Sequence, residues 1–204
     1  EFVSILSHDI RNPLNAILLA AGLLKNSDDK LNPDKKVAHY QMIRSAIKNM
    51  SLLLDEASFI GQADSGNLNC ELIDIDLLDF CNAIIKEIQL AANQKNIDIA
   101  FNIKGNSNAF LGDEKLLHHI LTNLLSNAVK YSLSDSTVIF DLIFQNFAVV
   151  LRIQDSGIGI PEQEQKQLFE PFHRASNVGK IAGTGLGLSI VKKCVEAQGG
   201  EIIL

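Results

Sequence analysis

Val3, Ile10, Ile17 and Leu24 recur at seven-residue intervals, and Leu6, Leu14 and Ala21 fill the same stripe. That spacing gathers apolar side chains on one face of a helix and leaves the other face polar. The turn-forming run Asn26-Ser27-Asp28-Asp29-Lys30-Leu31-Asn32-Pro33-Asp34 ends the pattern. A second helical pattern then carries Ile43, Ile47, Met50, Leu54 and Ala57. Two helices with one apolar stripe each cannot enclose a core. The spacing therefore predicts a helical hairpin forming a dimeric four-helix bundle, a homodimer.

Gly61-Gln62-Ala63-Asp64-Ser65-Gly66-Asn67 reads as a linker, so the expected organisation is a hairpin over 1–61, a linker over 62–69 and a second domain over 70–204. In that second domain the apolar period alternates. Helices are expected at 76–94, 113–131 and about 186–198, and strands at 97–103, 138–145, 147–154 and, briefly, 201–204. Helices and a mixed sheet in one domain give an α+β sandwich.

Charge is divided unevenly between the two parts. Residues 1–61 carry seven basic and seven acidic side chains, whereas 62–204 carry 11 against 17, the whole net charge of −6. No basic surplus is present for a nucleic-acid backbone or an anionic membrane, and nucleic acid is not expected as a partner. Cys70, Cys81 and Cys194 are far apart and odd in number, which argues against a disulfide framework or a CxxC zinc site and for a reduced, cytoplasmic setting. The longest nearly apolar run, 14–24, is broken by Asn15 and falls short of the ~20 residues that span a bilayer. No membrane segment or signal peptide is expected. The chain starts inside an amphipathic pattern without an initiator Met, as the cytosolic part of a larger protein, membrane-bound or not, would.

Two glycine-rich turns bear on chemistry. Asp155-Ser156-Gly157-Ile158-Gly159-Ile160-Pro161 follows a strand directly, and Gly183-Thr184-Gly185-Leu186-Gly187-Leu188 opens a helix. Glycine lets backbone approach a ligand closely, and a helix N-terminus offers unpaired N–H groups to phosphate. Neither loop is a Walker A, since no Gly-Lys-Ser/Thr follows, nor a dinucleotide fingerprint, since Leu188 stands where a third glycine would fall. Asn123, Asn127 and Lys130 lie at i, i+4 and i+7 on one helix face. An Asn amide oxygen suits Mg²⁺, and a lysine supplies a point charge to phosphate. On the first helix, His8 takes the outermost heptad position. Asp9 stands beside it, Asn12 one turn on, and Pro13 removes a backbone donor to Asp9. An exposed His–Asp pair of this kind can leave one ring nitrogen nucleophilic.

The segment Phe2-Val3-Ser4-Ile5-Leu6-Ser7-His8-Asp9-Ile10-Arg11-Asn12-Pro13-Leu14 resembles the H box of HisKA-type sensor histidine kinases. The 119–132 segment resembles their N box, 155–161 the G1 box, Phe169-Glu170-Pro171-Phe172-His173-Arg174 the F box, and 183–188 the G2 box, all in family order. The resemblance implies the catalytic core of a two-component sensor kinase, with a Bergerat-type ATP-binding fold whose mixed sheet carries helices on one face. ATP–Mg²⁺ would phosphorylate His8 on Nε2 with Asp9 as acid–base partner, and the phosphoryl group would pass to an Asp of a response regulator. Asn12 would orient water for regulator dephosphorylation. Asp155 would accept a hydrogen bond from the adenine amino group, Gly157 and Gly159 would shape that pocket, and Tyr131 would pack near the base. Asn127 would ligate Mg²⁺, and Asn123 and Lys130 would face the phosphates. Residues 173–182 would form a lid closed by the turn of Gly183, Thr184, Gly185, Leu186 and Gly187, with Phe169 and Phe172 at its base. Arg174 or Lys180 would either touch the γ-phosphate or stand as surface charges of the lid, and the resemblance leaves both readings open.

The rival reading is a pseudokinase, a nucleotide-sensing dimerisation module, against which intact His8, Asn127 and Asp155 argue. A chaperone- or repair-type ATPase would leave the His8 hairpin unexplained. The family's domain continues beyond 201–204 with another glycine turn and a closing strand, so a truncated sheet is expected.

Overall fold

The computed structural model describes residues 2–26, 32–106, 109–179, 181 and 183–204, the side chains from residue 5 onward and, at the end of the first helix, to residue 25. The expected turn residues 27–31, together with Lys180 and Ala182 of the expected lid, lie outside the described residues. The chain divides into two compact units, Glu1–Gly66 and Asn67–Leu204.

The first unit is two helices packed on each other, α1 (Phe2–Asn26) and α2 (Pro33–Asp64). Asn32 caps α2 by accepting from the Asp34 amide at 3.2 Å, with Pro33 at the first helical position, where its missing N–H costs nothing. Ala20 of α1 and Ala46, Leu53 and Ile60 of α2 are buried between the helices. Ile43, Met50 and Ala57 flank that seam half-buried. Ile47 and Leu54, expected in the same stripe, are instead 53% and 51% exposed. The helix is apolar on more than one side, and α1 covers only one of them. α2 also runs through Gly61–Asp64, expected in the linker, and ends where Ser65 and Gly66 (φ +70°) turn the chain.

The second unit shows the expected alternation closely. Its elements are β1 (Ile73–Ile75), α3 (Leu77–Gln94), β2 (Asp98–Lys104), β3 (Phe110–Gly112), α4 (Glu114–Tyr131), β4 (Thr137–Phe144), β5 (Val149–Gln154) and α5 (Gly187–Ala197). β4 is central, parallel to β2 and antiparallel to β5, so the sheet is mixed. Its buried face presents Val138, Phe140, Leu142 and Phe144. α3 rests on β2 and α4 on β5, and α4 packs against both α3 and α5. β1 and β3 form a separate antiparallel pair that three-residue apolar patterns did not announce. Residues 201–204, expected as a strand, pair with no strand among the described residues, and Ile203 is 80% exposed. Period alone cannot supply a ladder partner.

Candidate functional site

α4 supplies most of the residues that chemistry singled out, and its own ends are firmly held. Asp113 caps it, accepting from the Leu116 amide at 3.0 Å with one oxygen and from the Glu71 amide at 2.8 Å with the other. Burial raises the Asp113 pKa, but the amides of Glu71, Leu116 and Lys115 outweigh it and hold the carboxyl below its ordinary value. Leu117, Leu121, Leu125 and Ala128 anchor the helix in the core. Asn123, Asn127, Lys130 and Tyr131 are left half-buried along its edge.

The second glycine loop lies directly against that edge. A methyl group added at Gly183 would fall 2.6 Å from Lys130 Nζ and 3.8 Å from the Tyr131 hydroxyl, and one at Gly187 would fall 2.5 Å from Asn123 Oδ1. Glycine is therefore what leaves space between loop and helix. Lys130 Nζ sits 4.7 Å from the centre of the Tyr131 ring. The Asn123 amide donates to His119 O at 2.8 Å, whereas among the described residues nothing hydrogen-bonds the Asn127 amide. α5 begins at Gly187 without a side-chain cap, so its first amides have no side-chain acceptor. Thr184 Oγ1 accepts from the Leu186 amide at 3.2 Å, and the Leu186 side chain is fully buried.

The first glycine loop joins the same edge. Gly157 pairs with Ser132 in an isolated bridge, and a methyl there would meet Tyr131 O at 2.6 Å. Asp155 accepts from the Gly157 amide at 2.9 Å. Asn177, which the sequence did not single out, donates to Ile158 O at 3.2 Å and Gly159 O at 3.0 Å and ties the 176–178 segment to this loop. Glu164 receives the Ser176 amide at 2.9 Å and the Ser176 hydroxyl at 2.5 Å. The two Ser176 donors hold the Glu164 carboxyl below its ordinary pKa, with the nearby His173 adding to them. Arg174 donates to Ile181 O, a contact within the segment expected as a lid. Phe169 and Phe172 are half-buried at its base, and the Phe172 amide donates to Gly185 O at 2.9 Å.

The other candidate centre is on the first unit. His8 is 70% exposed, and its Nδ1 lies 3.2 Å from Asp9 Oδ1. Nε2 is thus the nitrogen left for solvent. Asn12 is exposed one turn further on, and Pro13 sits within an unbroken α1. Among the described residues no group of three His, Cys, Asp or Glu side chains could hold a metal ion, so a cation at the α4 edge of the second unit would depend on an oxygen such as that of Asn127 together with phosphate. A half-buried amide oxygen with no hydrogen-bond partner among the described residues fits that demand.

Residues 1–66 match the family model of the His Kinase A (phospho-acceptor) domain, and 112–204 match that of the histidine kinase-, DNA gyrase B-, and HSP90-like ATPases. The chain belongs to the histidine kinases. Hybrid signal transduction histidine kinase F of Dictyostelium discoideum is 33% identical over the whole of this chain, which covers 19% of that protein. This histidine kinase core thus spans about a fifth of the length of the curated relatives it matches. Among solved structures, full-length ShkA in complex with AMPPNP shares 27% identity at a TM-score of 0.69 over 98% of this chain and 41% of that one. Histidine kinase ThkA in complex with response regulator protein TrrA aligns at a TM-score of 0.71 and 20% identity over 98% of this chain and 55% of that one, a likeness of fold. The fold is accordingly an N-terminal helical hairpin followed by an α/β domain with a mixed sheet. No helix among the described residues is long and apolar enough to cross a membrane.

Proposed function

We propose that this chain is the catalytic core of a two-component sensor histidine kinase that transfers the γ-phosphoryl group of ATP to Nε2 of His8. The observation that carries the reading is the exposed His8–Asp9 pair, with Nδ1 3.2 Å from the carboxylate. Asp9 accepts the Nδ1 proton and keeps the Nε2 lone pair free. That lone pair forms the N–P bond as the bond from phosphorus to the β,γ-bridging oxygen breaks and ADP leaves. Positioning and charge neutralisation are the main demands of such a transfer. Lys130, Asn123 and the first amides of α5 would neutralise and orient the phosphates. Asp155, with Gly157, Gly159 and Tyr131, would receive the adenine. Mg²⁺, through Asn127, would neutralise charge between the phosphates.

The AMPPNP bound by ShkA supports ATP as the donor, and the regulator bound by ThkA supports an Asp of a response regulator as the acceptor. Asn12, one turn from His8, would orient water for dephosphorylating that regulator. The exposed Leu14, Leu18, Leu19 and Ile47 support a homodimer in which two hairpins close one bundle. Transfer requires the two units to meet, and the Ser65–Gly66 turn is the joint that would permit it. Incubation with γ-labelled ATP and Mg²⁺ is expected to label the wild-type chain and leave His8→Gln unlabelled. Equal labelling of both would remove His8 as the nucleophile.

A further inference from the structure

The C-terminal end of α4 is held by a residue outside every motif. Lys95 ends α3, and its half-buried ammonium donates to Val129 O at 2.9 Å, Lys130 O at 2.9 Å and Ser132 O at 2.5 Å. The last carbonyls of a helix have no partner within it, and the helix dipole places partial negative charge there. Ala128 O is satisfied by the Ser132 amide at 3.0 Å. The next two carbonyls, of Val129 and Lys130, have the Lys95 ammonium, so one cation fills all three of its donor positions on this helix end and the residue after it.

The backbone of Lys95 is fastened to the same place. Its carbonyl accepts from the Asp135 amide at 3.0 Å, and Asn96, at φ +54°, donates from its side chain to Asp135 Oδ1 at 2.6 Å. The α3–β2 turn and the α4–β4 turn are therefore locked together. The locked segment carries residues of the site: Lys130 and Tyr131 oppose Gly183, and Ser132 pairs with Gly157 of the first glycine loop.

We propose that Lys95 is a positioning residue for nucleotide binding: its ammonium sets the last turn of α4, and through it the Lys130 and Tyr131 side chains and the first glycine loop. This rests on the reading of that edge as the ATP site. Without the ammonium, the Val129 and Lys130 carbonyls lose their partner, the last turn frays, and Lys130 Nζ is no longer fixed opposite Gly183. Lys95 acts through Lys130, so the two substitutions must not add.

The test is a double-mutant cycle in the full chain, with affinity for Mg²⁺–AMPPNP measured by calorimetry and melting monitored by circular dichroism. Lys95→Met and Lys130→Met are each expected to weaken binding about tenfold, the scale of one charge-assisted hydrogen bond, and the double variant also about tenfold rather than a hundredfold. Lys95→Arg, which keeps charge and donors, is expected to bind within about threefold of wild type. A hundredfold loss in the double variant, or wild-type affinity in Lys95→Met, overturns the proposal. If Lys95→Met does not fold, a tenfold loss in Lys95→Arg overturns it instead, and affinity within threefold supports it. A wild-type chain that binds no AMPPNP would sink the ATP reading itself, a result separable from either failure.

Discussion

An added methyl group sorts the glycines of the second loop into two kinds. At Gly185 the backbone is left-handed, φ +74°, and the methyl would lie 2.7 Å from Phe172 C and 2.9 Å from His173 O, atoms that cannot swing away. At Gly183 the nearest atom is the tip of the flexible Lys130 side chain, 2.6 Å off. Gly185→Ala should therefore destabilise the protein by about 2–4 kcal/mol, from backbone strain plus overlap. Gly183→Ala should cost under ~0.5 kcal/mol, as surface changes do, yet displace the ammonium and weaken nucleotide binding. Thermal melts and AMPPNP titration of the two variants separate the effects. A Gly183→Ala variant with wild-type affinity would mean that the Lys130 ammonium does not need that space. The glycines themselves were plain in the sequence. That one makes a turn while another makes room for a side chain 53 residues away required the fold.

Among the elements, β4 carries the least expected feature. Its core face is apolar, but Asp141 on the other face is only 1% exposed, enclosed by its neighbours across the sheet. Asn102 of β2 donates to it at 2.9 Å, Arg152 of β5 through Nε at 2.9 Å, and Lys104 at 3.4 Å. The Asn102 hydrogen bond, with that of Arg152 next in strength, holds the Asp141 carboxyl below its ordinary value of 3.8. A carboxyl with a lowered pKa in the folded state contributes stability that is present above the unfolded value and lost as pH falls through the folded one. Stability should thus decline below pH 3.8 in part through Asp141. Asp141→Asn should melt lower at pH 7 and approach the wild type on acidification, as thermal melts between pH 7 and pH 2 would show. Parallel curves for the two proteins would exclude Asp141 from the acid transition. Alternating apolar residues made β4 legible as a strand, but no local pattern shows which residues a parallel and an antiparallel neighbour place around Asp141. Likewise α3 was legible from its period, and the reach of Lys95 at its end was not.

At the scale of the whole molecule, the hairpin is short of partners. One chain buries Ala20, Ala46, Leu53 and Ile60 and leaves Leu18 64%, Leu19 65% and Ile47 53% exposed. A second hairpin would remove that apolar surface from water. Leu18→Glu combined with Ile47→Glu should raise the dimer dissociation constant at least about tenfold, because a carboxylate buried without a partner costs more than about 1.4 kcal/mol. Light scattering coupled to gel filtration measures the shift, and helical content should persist, since neither side chain lies in the intrachain seam. A mass unchanged from wild type would place the dimer contact elsewhere.

The sequence by itself determined the two-part organisation, the α-helices, the three strands of the mixed sheet and the identity of the chemical groups. Those rest on period, turn composition and glycine, which act within a few residues of one another. Only the tertiary structure decided which stripe of α2 meets α1, that residues 201–204 find no ladder among the described residues, and that Gly183 and Gly187 face Lys130 and Asn123. It also decided that Lys95 reaches the last carbonyls of α4 and that Asn177 reaches the first glycine loop. Each of these depends on a partner tens of residues away, and hydrogen bonding and packing choose such partners by geometry in space rather than by order along the chain.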